Sequence, residues 1–191
     1  MRNSFRAGAL VALALVAAPA LSASLNERLA PCLACHGEKG TSVMPEVPSL
    51  GGQPAPYMLV QLFAFREKQR LADPMNDLAQ ELTNDDLMVI SEALAKLPPP
   101  VVSGKGADAA KIEKGRVAAQ KHRCGFCHNP DMSGHDQIGR IAGQREDYLL
   151  KALREYKSGK RAGFDPAMLE VVRDMSDEDF VNVAHLLAHW N

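Results

Sequence analysis

Two short stretches carry residues able to do chemistry. "PCLACHGEKG" places Cys32, Cys35 and His36 together, and "CGFCH" repeats the spacing with Cys124, Cys127 and His128. A Cys-x-x-Cys pair serves as a redox dithiol, half of a zinc site, or the attachment point of a c-type haem. A zinc site needs four ligands converging on one ion, and a thioredoxin-like dithiol needs a βαβ context; the sequence suggests neither. The trailing histidine, present twice, has no use in a disulfide scaffold. It does have one beside a porphyrin. Cysteines at i and i+3 share a helical face, and a histidine at i+4 continues it. Two thioether bonds would then fix the macrocycle while the imidazole meets the iron. The reading is two covalently bound haem c groups, on Cys32 and Cys35 and on Cys124 and Cys127, with His36 and His128 as proximal ligands.

The cysteine pairs lie 92 residues apart, and the likeness runs on. "PSLGGQPAPYMLVQL" matches "GRIAGQREDYLLKAL", with Gln53 and Gln144, and Tyr57 and Tyr148, each 91 apart. "DPMNDLAQELTNDDL" matches "DPAMLEVVRDMSDEDF" further on. Such self-similarity signals two copies of one small domain. The seam is "LPPPVVSGKG", prolines and then glycines, a stiff and then flexible connection. The expected division is domain 1 over 24–97, a linker over 98–106 and domain 2 over 107–191.

The repeat also selects a sixth iron ligand. Of the candidates Met44, Met58, Met75, Met88, Met132, Met168 and Met175, only Met75 and Met168 coincide when the halves are laid together. Both follow an Asp-Pro, which breaks a helix and is expected to leave a loop across a haem face. Iron held by histidine and methionine would be six-coordinate and closed, suited to electron transfer. His122, His135, His185 and His189 have no histidine counterpart in the other half and read as surface or packing residues.

The supporting elements read as helices. "YMLVQLFAFREKQR" and "YLLKALREYKSGK" mix apolar and charged residues without strand-like alternation. Thr83 with Asp86, and Ser176 with Asp179, form helix-starting capping pairs. Beyond them run the apolar stripes Leu87, Ile90, Leu94, Leu97 and Phe180, Val183, Leu187, Trp190. Each half is short and aromatic residues are only 5% of the chain, so a haem in each would supply the missing core bulk.

Residues 1–23 show the charged, apolar, small-residue order of a secretory signal, from "MRNSFR" through "AGALVALALVAAPA" to "LSAS". The reading is export, with cleavage between Ala20 and Ser24, to give a soluble periplasmic protein. From Ser24 to Leu97 there are six basic and ten acidic residues, and from Val101 to Asn191 fourteen basic and thirteen acidic. That balance does not suit nucleic acid. The second half gathers Lys121, Arg123, Arg140, Arg145, Lys157, Lys160 and Arg161 around and after its cysteine motif; most of these read as an ordinary solvated face, and the gathering at the motif is the expected docking site for an acidic partner.

Taken together, "CLACHG", "GGQ", "DPM", "CGFCH", "AGQ" and the second Asp-Pro–Met segment resemble the two-haem class I cytochromes c of the cytochrome c4 family. The resemblance implies an all-α fold of two tandem class I cytochrome c domains, each holding one covalent haem with His/Met ligation. It further implies that Pro48 offers its carbonyl to the His36 ring, and that Tyr57, Tyr148, Gln53 and Gln144 support the haem edges. The position matching Pro48 is Gly139, a departure that makes any second-half acceptor a more mobile backbone. The implied role is a shuttle of electrons in a periplasmic respiratory chain towards a terminal oxidase or reductase. Its partners would be redox proteins, with peripheral contact with membrane complexes. The alternative is the dihaem subunit of a dehydrogenase, as in flavocytochrome sulfide dehydrogenases. The chain carries no catalytic constellation of its own.

Overall fold

Ser24 opens the first helix by accepting from the Glu27 N–H, while the Glu27 carboxylate takes the Ser24 N–H in return. That helix, α1, spans Leu25–His36 and carries the whole first cysteine motif in its final turns. α2 (Ala55–Arg66), α3 (Met75–Gln80) and α4 (Asn84–Ala95) complete the first half. The second half repeats the order with α5 (Ala109–Lys121), α6 (Cys124–Cys127), α7 (Glu146–Lys157), α8 (Pro166–Arg173) and α9 (Asp177–Ala188). The computed structural model describes residues 24–161 and 166–190; residues 1–23, the expected signal, and Asp165 of the second Asp-Pro lie outside them. No strand forms among the described residues, and no helix there is long and apolar enough to cross a membrane.

The expected capping boxes open α4 and α9, at Thr83 with Asp86 and Ser176 with Asp179. The stripes that follow are buried: Leu87, Ile90 and Leu94 join Leu29, Met58 and Leu62, while Phe180, Val183 and Leu187 join Val172, Met175 and Leu149. Each half thus has its own apolar centre, and in each the first and last helices pack together. At the α5–α9 crossing a Cβ on Gly115 would sit 2.3 Å from the Asn182 carbonyl oxygen. Only glycine permits that approach.

Two features depart from the sequence reading. Met75 and Met168 are not in loops. Met75 is the first residue of its short helix, after the N-cap Pro74, and Met168 is the third of its own, which opens on Pro166. Proline breaks a helix from within but suits its first turn, where its missing N–H costs nothing. Secondly, the halves differ at the cysteine motif. α1 runs unbroken through its motif, whereas α5 ends at Lys121 and the chain turns through a left-handed Arg123 (φ 55°) before α6.

Candidate haem sites and the seam between them

No disulfide joins the four cysteines, and each is partly buried. Burial raises the thiol of Cys32, and pushes that of Cys124 up to about 11. A redox or nucleophilic cysteine needs the opposite, a thiolate stabilised near neutral pH. At Cys32 and Cys124 burial therefore disfavours the thiolate that a dithiol catalyst would use.

Both motif histidines are fixed in one tautomer. His36 Nδ1 lies 2.7 Å from the Pro48 carbonyl oxygen, and His128 Nδ1 lies 2.7 Å from that of Gly139. A carbonyl only accepts, so each Nδ1 carries the proton and each Nε2 the lone pair a metal would need. Burial outweighs the Pro48 bond and lowers the pKa of His36, which keeps the ring neutral and ready to ligate. The carbonyl at Gly139 does for His128 what Pro48 does for His36. The side chain is missing there for a reason across the seam. A Cβ on Gly139 would meet the Tyr57 ring at 2.9 Å. Gly139→Ala should displace that ring and cost about 1–3 kcal/mol, the range for overpacking. Denaturant unfolding of the haem-loaded protein checks this, and an unchanged midpoint would contradict it.

Burial separates the methionines. Met58, Met132 and Met175 are packed into the cores, and Met44 and Met88 are exposed. Met75 and Met168 are partly buried, each against the core of its own half.

The seam has a near-exact internal symmetry. Gln53 Nε2 donates to the Arg140 carbonyl at 2.8 Å, and its Oε1 accepts the Arg140 N–H at 2.9 Å. Gln144 does the same to Ser49, at 2.9 and 2.8 Å. Each glutamine amide thus reaches the backbone of the opposite half, and Gln144 Oε1 also accepts the Arg145 N–H of its own half at 3.0 Å. Nearby, Arg70 donates to the Tyr148 hydroxyl at 3.2 Å, and Arg161 donates to those of Tyr148 and Tyr57 at 3.1 and 3.4 Å. Burial alone would raise the Tyr148 phenol, but Arg161 and Arg70 outweigh it and bring it down to about 8. Tyr57 moves the other way, raised by its burial and by Tyr148.

The two arginines escape a reading of local sequence, yet they stand 91 residues apart, the same spacing as the tyrosines and glutamines. Extending the repeat would have found them. Their Nε atoms, and that of Arg140, are buried without a hydrogen-bond partner, and no carboxylate among the described residues pairs with any of the three. A buried guanidinium nitrogen without a partner is costly, most of all on Arg161, which is itself buried. Two haems, each bringing two carboxylates, answer that deficit, so the residues present fit the group.

The expected basic face is only partly a face. Arg161 is 7% exposed, and Arg145 pairs with Asp147 at 2.7 Å. Lys121 and Arg123 are exposed as expected. Glu146, His185 and His189 cluster closely enough to hold a metal, but their atoms are engaged. His185 accepts from the Asp108 N–H and donates to Glu146, and His189 bonds to backbone carbonyls. His185 is a packing residue.

Two all-helical halves, each with its own cysteine–histidine motif and carbonyl-braced imidazole, define a dihaem class I cytochrome c. The comparisons agree. Cytochrome c4 of Pseudomonas aeruginosa is 28% identical over 173 residues, 85% of either chain. A thiosulfate dehydrogenase electron acceptor of Stutzerimonas stutzeri is 33% identical over 175 residues, 86% of this chain and 81% of that one. The solved cytochrome c4 of Acidithiobacillus ferrooxidans superposes with a TM-score of 0.75 at 26% identity, covering 84% of this chain and 99% of that one. No family model matches. The chain belongs to the cytochrome c4 family. It is an electron-transfer protein with two covalently bound haem c groups.

Proposed function

We propose that Cys32 and Cys35 bind the first haem and Cys124 and Cys127 the second, with His36 and Met75, and His128 and Met168, as the axial ligands. When bound, each haem supplies one-electron exchange between ferric and ferrous iron. The protein's part is to hold still. Pro48 and Gly139 fix the imidazoles, and two permanent ligands per iron keep rearrangement small when the charge changes. Arg70 and Arg161, with Tyr57 and Tyr148, receive haem carboxylates at the seam. The domains run over 24–97 and 107–191, joined by 98–106. The observation that carries this reading is the matched pair of histidine–carbonyl bonds, identical in length and repeated across the halves.

The role is a periplasmic carrier, exported by residues 1–23, that passes electrons between redox proteins towards a terminal oxidase or reductase. A dehydrogenase is a natural donor, since two relatives are named as thiosulfate dehydrogenase electron acceptors. The alternative, a dihaem subunit within such a dehydrogenase, is tested by purifying the native protein. A stoichiometric dehydrogenase partner would favour the subunit, and a free dihaem chain the carrier.

Docking falls to the second half. The Arg123 guanidinium lies 4.9 Å above the Phe126 ring, and Phe126, between the two haem cysteines, is 76% exposed. Lys121 stands beside them, 3.7 Å from Asp179. Charges so placed speed encounter with an acidic partner, and salt screens them. Lys121→Glu with Arg123→Glu should slow electron transfer to the acceptor by about tenfold at low ionic strength, fading as salt rises. A rate unchanged at low salt would remove docking from this face.

A further inference from the structure

The two seam glutamines reach unusual targets. Pro48 and Ser49 share one peptide group: its carbonyl oxygen takes the His36 ring at 2.7 Å, and its N–H donates to Gln144 Oε1 at 2.8 Å. Gly139 and Arg140 share the equivalent group, whose oxygen takes His128 at 2.7 Å while its N–H donates to Gln53 Oε1 at 2.9 Å. Ser49 and Gln144 are both buried, at 2% and 4% exposure, so little solvent competes for the first chain of bonds. Hydrogen bonds in series polarise one another, most where water is excluded. A peptide whose N–H is donated presents a more negative carbonyl, and so draws harder on the imidazole proton. The histidine then gives more electron density to whatever its other nitrogen binds.

We propose that Gln144 and Gln53 are crossed positioning residues, each setting through one peptide group the strength of the proximal histidine in the opposite half. The inference rests on His36 and His128 being iron ligands. It has a definite sign. Stronger donation from imidazole favours ferric iron, so each intact relay lowers the potential of the haem across the seam. The glutamine of one half is therefore part of the electronic surroundings of the other half's iron. It also gives the pairing of the halves a redox consequence.

The test is a redox titration of the haem-loaded full chain, followed haem by haem through resolved haem methyl signals in proton NMR. Gln144→Met removes the acceptor at nearly constant volume. The first haem's potential should rise, the second should stay, and the His36 Nδ1–H resonance should move upfield. Gln53→Met should raise the second potential alone. Gln144→Glu keeps an oxygen for the Ser49 N–H, so the first potential should remain at or below its unmodified value. A shift confined to the glutamine's own half would overturn the proposal, as would potentials unmoved at both haems or a rise in Gln144→Glu. The ligand assignment is read separately on the unmodified protein, from the far-red sulfur-to-iron band and from loss of low-spin ligation at one haem in His36→Ala. If His36→Ala leaves both haems unchanged, that assignment fails. If the assignment holds but the potentials do not cross over, only the relay fails.

Discussion

Met75→Ala opens the first iron to carbon monoxide and leaves the second closed; Met168→Ala does the reverse. The expectation follows from where the methionines lie. Met58, Met132 and Met175 fill the cores and Met44 and Met88 face solvent, while Met75 and Met168 stand half-buried in the first turns of α3 and α8. Alanine at either position removes the thioether without touching a helix interior. The reduced variant should bind carbon monoxide rapidly at half its haem, and the ferric far-red band should fall by half. A thioether also favours ferrous iron, so the opened haem should drop in potential by a sizeable part of the ~0.8 V over which axial ligands act. Closed irons in both variants would place the sixth ligand elsewhere.

Arg161→Met should be the most damaging substitution at the seam. Arg161 is 7% exposed and donates to the Tyr57 and Tyr148 hydroxyls, drawing both halves onto one cation. Its removal would leave the haem carboxylates proposed to meet it short of a counter-charge, and breaking a buried pair in this way costs about 3–5 kcal/mol. Arg70→Met should cost less, because Arg70 is less deeply buried. Losing a cation also makes ferric iron easier to form, so the haem potentials should fall together. Denaturant unfolding and redox titration of the haem-loaded variant check both effects. Stability and potentials equal to the unmodified protein would take Arg161 out of the site.

The helices of the two halves, their capping boxes and their apolar stripes were legible because each rests on local spacing. Thr83 with Asp86 and Ser176 with Asp179 need only their neighbours to act. The cysteine–histidine motifs were legible for the same reason. What escaped were contacts between the halves. Arg161 sits among Lys157 and Lys160 in the chain and reads with them as a solvated cluster; only packing separates the buried guanidinium from its exposed neighbours. Gln53 and Gln144 announce themselves by their spacing, but nothing local says that their amides reach 87 and 95 residues away to backbone. Asp-Pro before each methionine carries two opposite signals, a helix broken or a helix begun, and the structure uses the second. Gly139 reads as a weakened copy of Pro48 until the Tyr57 ring is found against it.

One measurement bears most directly on the central claim, that this chain holds two closed, six-coordinate haems built to move electrons. The dithionite-reduced, unmodified protein is mixed with carbon monoxide in a stopped-flow spectrometer. With His36 and Met75 on one iron and His128 and Met168 on the other, neither haem should bind the gas rapidly. Fast binding at half or all of the haem would contradict that ligand set and assign the open domain an enzymatic or sensing role.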